Sequence, residues 1–127
     1  MAPEKRILIA DDDRTFVSFV QEALSGRGLS MDTAFDGESA LSKALSGGFD
    51  LILLDVMMPK LDGYHISSEL VRSLGERAPK ILIVTARDTR MEKGIAFMAG
   101  AVAVLQKPFL ARELRAKVAE LLGLAIP

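Results

Sequence analysis

Four short apolar runs recur along the chain, at residues 7–10, 51–54, 81–84 and 102–105. Each run is too brief for a helix and does not alternate between polar and apolar residues, so it predicts a β-strand buried on both faces. A weaker run at residues 31–35 includes Asp32 and Thr33. This mixture predicts a fifth strand, at an edge of the sheet with one wetter face.

The stretches between these runs have helical spacing, with apolar residues recurring every three or four positions. The repeats are Phe16, Val17, Val20 and Leu24; Ala40, Leu41, Ala44 and Leu45; Ile66, Leu70 and Leu74; and Leu110, Leu114, Val118 and Leu121. Glycine follows each repeat within a few residues, which is a common helix stop. Residues 89–99 predict a further, less regular helix, because Gly94 interrupts it and Gly100 ends it.

Strands and helices therefore alternate along the chain. Helical crossovers between parallel strands are right-handed and place helices on both faces of the sheet. We expect an α/β fold with a doubly wound, five-stranded parallel sheet. The length of 127 residues, half of them hydrophobic, suits one core, so residues 1–127 are expected to form a single domain. No tether toward an output domain is recognisable after the last helix, which favours a single-domain module.

Composition narrows the classes of function. The formal net charge is -1 and no basic stripe is present, so we expect no direct nucleic-acid binding. Cysteine is absent, which excludes disulfides and thiolate metal sites. Neither a signal peptide nor a membrane span is recognisable, so we expect a cytoplasmic protein without membrane insertion.

Chemically useful side chains follow four of the five predicted strands. Asp11 and Asp12 follow the first strand, Asp55 the third, Thr85 the fourth and Lys107 the fifth. Ligands of doubly wound sheets bind beyond the carboxyl ends of the strands, so these side chains should converge at one edge. The sequence therefore predicts one site built from all five.

The three carboxylates of Asp11, Asp12 and Asp55 would repel one another unless a cation lies among them. Mg²⁺ suits such a site because it needs only one or two carboxylates, keeps several waters and accepts a phosphoryl oxygen as a further ligand. Lys107 and Thr85 would then direct an ammonium group and a hydroxyl group at phosphoryl oxygens.

The order and spacing of these residues resemble the CheY-like receiver domain of bacterial two-component response regulators, over essentially the whole chain. The matching motifs are Ile-Ala-Asp11-Asp12; Leu-Leu-Asp55-Val-Met-Met-Pro59-Lys-Leu-Asp62-Gly63; Thr85-Ala86; and Lys107-Pro108-Phe109. As an ordered set, these motifs are highly specific for the family. The resemblance implies a phosphoprotein of phosphorelay signal transduction.

The resemblance implies that Asp55 is the phosphoacceptor and that Thr85 and Lys107 assist the transfer. The donor would be a phosphohistidine on a histidine kinase or a histidine phosphotransfer protein. The phosphorylated state would modulate binding to a downstream protein target. Such a chain catalyses only its own phosphorylation and dephosphorylation, so we do not expect an enzyme with a separate substrate.

The resemblance also implies the metal ligands. Asp12 and Asp55 would bind Mg²⁺ directly, and Asp11 would bind it directly or through water. The backbone carbonyl of Met57 would complete the protein's share of the metal shell.

Further expectations concern residues around this site. By resemblance, Met57 and Arg87 tune the lifetime of the acyl phosphate, and the Lys107–Pro108 bond is cis. The lone His65 is interpreted as a surface or packing residue rather than a relay histidine.

Two aspartates are expected to act as helix caps. Asp13 should cap the helix after the first strand. Asp62 should cap the helix after the third strand, within a turn that also contains Pro59 and Gly63, where Gly63 is free to adopt a positive φ.

The sequence departs from the family pattern at two places. Val104, three residues before Lys107, stands where many receivers carry Tyr or Phe, a ring that moves inward on phosphorylation. We therefore expect a smaller change at the surface of the fourth helix, fifth strand and fifth helix than in aromatic-bearing relatives. Val102 and Ala103 stand where receivers of winged-helix transcription factors commonly carry acidic residues, which weakens the hypothesis of a fragment of such a factor.

Two alternatives stay open. The chain could be the receiver of a longer regulator or hybrid kinase. It could also be a phosphatase or phosphotransferase that acts on small molecules through an aspartyl phosphate, although such enzymes usually need a second carboxylate after the nucleophile and residues 56–60 contain none. A flavin or dinucleotide carrier is disfavoured, because aspartates stand where a glycine-rich phosphate loop would lie.

Overall fold

The computed structural model describes residues 4–124, over which strands and helices alternate. The elements are β1 (Lys5–Ala10), α1 (Arg14–Leu24), β2 (Leu29–Ala34), α2 (Gly37–Gly47), β3 (Leu51–Asp55), α3 (Gly63–Leu74), β4 (Lys80–Thr85), α4 (Thr89–Met98), β5 (Ala103–Gln106) and α5 (Ala111–Leu122). A short 3₁₀ helix, Gly75–Arg77, follows α3. The strands form one five-stranded parallel sheet in the order β2-β1-β3-β4-β5, which confirms the predicted fold.

The central strand β3 positions the site. All five of its residues are buried, and it pairs with β1 on one side and β4 on the other. The register aligns Ala10 with Leu54, and Asp55 with Val84. The residues that follow β1, β3 and β4 therefore leave the sheet side by side at its carboxyl edge.

The two faces of the sheet carry separate hydrophobic clusters because successive side chains of a strand point to opposite faces. In β3, Leu51 and Leu53 pack toward α1 and α5, whereas Ile52 and Leu54 pack toward α2, α3 and α4. Both sets are nearly or fully buried. Truncating one such side chain to alanine is expected to destabilise the fold by about 2–5 kcal/mol, so this core holds the carboxyl edge firmly.

Some element bounds differ from the prediction. Strand β2 begins two residues earlier than predicted, at Leu29, and β5 begins at Ala103 rather than Val102. Helix α5 begins at Ala111, so Leu110 lies outside it as the N-cap residue. The backbone N–H of Leu110 donates to the Glu113 carboxylate at 2.8 Å, a local contact that apolar spacing alone does not indicate.

The predicted irregular helix is present as α4, and Gly94 lies within it without ending it. Its start is stabilised by Asp88, whose carboxylate accepts a hydrogen bond from the backbone N–H of Arg90 at 2.9 Å. Its inner face buries Ala96. Cap and inner face together compensate for the weak helix propensity of glycine.

The predicted caps are confirmed. Asp13 accepts hydrogen bonds from the backbone N–H groups of Thr15 and Phe16 at 3.0 and 3.2 Å. Asp62 accepts one from the N–H of His65 at 3.0 Å. Each cap satisfies N–H groups that have no partner inside the helix.

Over residues 4–124, no helix combines the length and the apolar character needed to cross a membrane.

Candidate functional site

The three predicted metal-binding aspartates meet at the carboxyl edge of the sheet. Asp11, Asp12 and Asp55 each offer a carboxylate oxygen, and these oxygens lie within 4.8 Å of one another. Asp11 and Asp55 are buried, whereas Asp12 is exposed. The cluster is therefore open to solvent on the Asp12 side, where an ion and its waters can enter.

Lys107 reaches this cluster from beyond β5. Its Nζ lies 2.7 Å from a carboxylate oxygen of Asp11 and 3.8 Å from one of Asp55. The Nζ also lies 4.0 Å from the centroid of the Phe16 ring, a cation–π contact. The bond from Lys107 to Pro108 is cis, as predicted. The ammonium group is thus held between two carboxylates and an aromatic face.

Asp55 is one of the two buried carboxylates of the site. Burial raises its pKa, and repulsion by Asp11 and Asp12 raises it further, while a hydrogen bond from the backbone N–H of Met57 at 3.1 Å and the charge of Lys107 act in the opposite direction. Binding of a further cation would favour the ionised form. The electrostatics of the site therefore suit a metal ion.

Thr85 ends β4, beside Asp55 in the sheet, since Asp55 pairs with Val84. The Thr85 side chain is fully buried, and its hydroxyl oxygen accepts a hydrogen bond from the backbone N–H of Arg87 at 3.0 Å. The backbone N–H of Lys107 donates to the Thr85 carbonyl at 2.7 Å, which ties the two catalytic candidates together through the main chain.

The expectation that Gly63 uses a positive φ in the loop after Asp55 is wrong. The positive φ in this loop belongs to Lys60, at 75°, whereas Gly63 is the first residue of α3. Glycine is needed there for a different reason: a Cβ at Gly63 would lie 2.5 Å from the carbonyl oxygen of Asp55 and 2.8 Å from the Cα of Val56. The start of α3 therefore packs directly against the strand end that carries Asp55.

Two neighbours of the site are exposed. The Met57 side chain is 58% exposed at the rim, while its amide holds the Asp55 carboxylate. His65 is exposed on α3, which agrees with its interpretation as a surface residue.

Sequence reasoning missed two residues that contact residues of the site or its rim. Phe16 was predicted only as part of a helical stripe, yet its ring faces the Lys107 ammonium. Glu92 is a buried carboxylate that contacts Arg87 and Tyr64. The long-range contacts of Phe16 and Glu92 have no signature in apolar periodicity.

The donor set fits Mg²⁺. It consists of carboxylate oxygens only, from two buried residues and one exposed residue, and Mg²⁺ binds such ligands while keeping several waters. Nitrogen and sulfur ligands, which favour zinc or copper, do not occur in this cluster.

The comparisons with known proteins agree with this geometry. A family model described as the response regulator receiver domain matches residues 7–119. The chain therefore belongs to the response regulator receiver domain family, as the sequence motifs indicated. This family is not one of conventional enzymes that turn over a separate substrate.

Individual relatives point the same way. The response regulator MprA of Mycolicibacterium vanbaalenii is 43% identical over 122 residues, covering 96% of this chain and 52% of the relative. A CheY-like receiver domain protein from Methanospirillum hungatei has a TM-score of 0.86 and 28% identity, with 94% of each chain covered. The chemotaxis response regulator CheY4 of Vibrio cholerae also has a TM-score of 0.86 and 28% identity, covering 93% of this chain and 98% of that one.

The chain spans about half the length of the curated relatives that it matches, at 52% and 50% of two MprA proteins. Both the single-domain module and the receiver of a longer regulator remain hypotheses.

Proposed function

We propose that Asp55 accepts a phosphoryl group from a phosphohistidine on a histidine kinase or histidine phosphotransfer protein, and that the phosphorylated chain changes its affinity for a partner protein. The observation that supports this most is the arrangement around Asp55: two further carboxylates within 4.8 Å and an ammonium group 3.8 Å away. The membership in the receiver family supports the same function.

The transfer forms one bond and breaks another. A carboxylate oxygen of Asp55 attacks phosphorus, and the bond from phosphorus to the donor's imidazole nitrogen breaks, with its electron pair returning to that nitrogen. No general base is needed, because the attacking group is an ionised carboxylate. The product is an acyl phosphate on Asp55.

The remaining site residues act on the charge of the phosphoryl oxygens. Phosphoryl transfer depends mainly on in-line positioning and electrostatic stabilisation. Lys107 supplies a positive charge, already fixed at 2.7 Å from Asp11. Thr85 supplies a hydroxyl donor once it turns away from Arg87.

Asp11, Asp12, Asp55 and the backbone carbonyl of Met57 would hold Mg²⁺. When bound, Mg²⁺ supplies positive charge that offsets both the carboxylate cluster and the phosphoryl oxygens. Asp11 would then have two cationic partners, the metal and Lys107. The protein's own contribution is to hold the carboxylates and the ammonium group in place.

The small-molecule phosphatase alternative lacks a suitable acid. Such an enzyme needs a second carboxylate to protonate the leaving group or activate water. Residues 56–60 carry no carboxylate, and the turn is occupied by the buried Met58 and the exposed Lys60. The absence of this second carboxylate from residues 56–60 therefore favours a receiver over a small-molecule phosphatase.

The proposal is tested by incubating the chain with acetyl phosphate or phosphoramidate and measuring intact mass. We expect addition of one phosphoryl group that requires Mg²⁺ and disappears in Asp55→Ala. Asp13→Asn is the matched control, because Asn keeps an oxygen acceptor for the helix cap, and it should be labelled like the wild type. Labelling that survives chelation, or that is unchanged in Asp55→Ala, would refute the proposal.

A further inference from the structure

Glu92 on α4 is a buried carboxylate outside the phosphoryl site. In residues 4–124, the buried carboxylates are Asp11, Asp55 and Glu92, and the first two belong to the site already described. Glu92 is 7% exposed. A carboxylate in such surroundings is costly unless it is paired, so the partners of Glu92 indicate what it does.

Its two partners come from different elements. The hydroxyl of Tyr64, on α3, donates a hydrogen bond to one carboxylate oxygen of Glu92. The guanidinium of Arg87, in the β4–α4 loop, lies 3.5 Å from the other oxygen. Burial and the nearby Glu92 carboxylate raise the pKa of Tyr64, so the phenol stays protonated and able to donate.

Arg87 connects this pair to the phosphoryl site. Its backbone N–H donates to the Thr85 hydroxyl oxygen, while its side chain reaches Glu92. When the Thr85 hydroxyl turns toward a phosphoryl oxygen, the Arg87 N–H loses its acceptor and the loop must rearrange. Glu92 resists that rearrangement, because it is itself fixed by Tyr64 on a separate helix.

The ion pair is weak enough to be broken. A separation of 3.5 Å is long for a charge-assisted hydrogen bond, and the Arg87 side chain is 49% exposed. The contact therefore restrains the loop without locking it. Tyr64 also packs against the same hydrophobic cluster as Val104, the residue that stands where many receivers have a mobile ring.

We propose that Glu92 and Tyr64 are positioning residues that hold Arg87, and through it Thr85, in the unphosphorylated arrangement. This inference rests on the proposed function of Asp55. The restraint on switching is assigned to the bridge Tyr64–Glu92–Arg87, which joins α3, α4 and the β4–α4 loop. In this chain β5 carries Val104 where many receivers carry an aromatic ring. Loosening the bridge should make the phosphorylated arrangement easier to reach.

The test titrates beryllofluoride, a phosphoryl mimic, into the ¹⁵N-labelled chain with Mg²⁺ and follows the amide signals of Thr85 and Arg87. Glu92→Gln and Tyr64→Phe should each lower the apparent Kd for the mimic by about two- to fivefold, the range of a partly exposed ion pair. In an Arg87→Ala background, Glu92→Gln should have no further effect, since the connection to Thr85 is already lost.

Arg90→Ala is the matched control. It removes an arginine–carboxylate pair with Asp88 at 2.9 Å near the start of the same helix, whereas the Thr85 hydroxyl bonds the backbone N–H of Arg87. Its Kd should equal that of the wild type. If Glu92→Gln proves poorly folded in urea unfolding, Tyr64→Phe, which removes a single hydroxyl, provides the decisive comparison.

The outcomes separate the two proposals. If the wild type binds the mimic and both variants keep the wild-type Kd, the positioning role is overturned while the phosphoacceptor proposal stands. An effect of Glu92→Gln that persists without Arg87 also overturns it, because Glu92 would then act by another route. If the wild type does not bind the mimic at all, the proposed function fails, and the positioning role fails with it.

Discussion

The two sides of Asp55 are built differently. On one side, Lys107 is mostly buried, lies 2.7 Å from Asp11 and contacts the ring of Phe16, which itself packs edge-on against Phe109. On the other side, the Thr85 hydroxyl accepts only from a loop amide, and Arg87 is half-exposed and held by a long ion pair. The positive charge is fixed before the reaction, whereas the hydroxyl is free to change partners.

This difference separates two tasks. A fixed ammonium group can stabilise the transferring phosphoryl group without reorganising at the moment of reaction. A hydroxyl with a replaceable partner can report whether the phosphoryl group is present. Substitutions on the Lys107 side should therefore change the rate of labelling, and those on the Thr85 side should change stability and switching.

The largest effect is expected on the fixed side. Lys107→Met removes the ammonium group but keeps a similar length, so labelling of Asp55 by acetyl phosphate should slow by about a hundredfold, as for loss of one preorganised donor. Initial rates from intact-mass spectrometry provide the measurement. Lys117→Met, on a partly exposed lysine of α5 that pairs with Glu120, should label at the wild-type rate. A Lys107→Met rate within about twofold of the wild type would contradict the role of Lys107 as the fixed charge that stabilises the transferring phosphoryl group.

On the movable side, Thr85→Val should destabilise the fold. The isosteric valine leaves the partly buried N–H of Arg87 without its acceptor, which is expected to cost about 0.5–1.5 kcal/mol in the free energy of unfolding. Thr85→Ser keeps the acceptor and should lose less. Urea unfolding of the metal-free chain measures both, and equal stability of the Val and Ser variants would contradict the assigned hydrogen bond.

Stability should also depend on the charge of Asp55 itself. The pKa of Asp55 is raised in the folded chain, so the folded state binds a proton at Asp55 more readily than the unfolded state. The contribution of Asp55 to stability therefore falls as pH rises from the ordinary pKa of Asp toward the folded pKa. In chelator, Asp55→Asn should therefore be most stabilised relative to the wild type near neutral pH, and the difference should shrink toward pH 4. Urea unfolding across this range tests the sign, and a difference that grows on acidification would contradict it.

Mg²⁺ should offset the repulsion among the carboxylates of Asp11, Asp12 and Asp55 and so stabilise the folded chain. At ten times its Kd, the ion should stabilise the wild type by about 1.4 kcal/mol. Asp55→Asn lacks one of the three carboxylates and should gain less. A thermal unfolding series with added MgCl₂, with CaCl₂ in parallel, measures the gain, and equal gains in both proteins would exclude Asp55 as a ligand.

The smallest effect is expected at Phe16. Phe16→Leu keeps an apolar side chain against the α1–α5 core but removes the aromatic face under Lys107, a contact of roughly 0.5–1 kcal/mol. Labelling should slow by a few-fold, while the unfolding midpoint changes little. Phe19→Leu is the control, because Phe19 packs in the same aromatic group but the cation–π contact of Lys107 is with Phe16. Equal effects of the two substitutions would assign Phe16 to packing alone.

The fold was largely predictable from the sequence because four of the five strands contain a continuous apolar run and four of the five long helices have regular apolar spacing. The convergence of Asp11, Asp55, Thr85 and Lys107 followed from the same pattern, since parallel strands end at one edge. The start of β2 was missed because Leu29 and Ser30 do not extend the apolar run recognised at residues 31–35.

The contacts that distinguish the two sides could not be predicted. Phe16 meets Lys107 only after α1 and the loop beyond β5 are packed together, and Glu92 on α4 meets Tyr64 on α3 although the two residues are 28 positions apart in the chain. Periodicity reports which face of a helix is buried, but not which side chain on a neighbouring element it contacts. The role of Gly63 was misread for the same reason, since a close approach to Asp55 is a tertiary feature.

The role of Asp55 as the phosphoacceptor is tested by locating the phosphoryl group in the labelled chain. The chain is labelled with acetyl phosphate and Mg²⁺, reduced with borohydride, which converts an aspartyl phosphate to homoserine, and digested for peptide sequencing by mass spectrometry. We predict homoserine at position 55 alone, and none in chelator. Homoserine at position 11 or 12, or a labelled chain that yields none, would contradict the assignment of Asp55 as the phosphoacceptor.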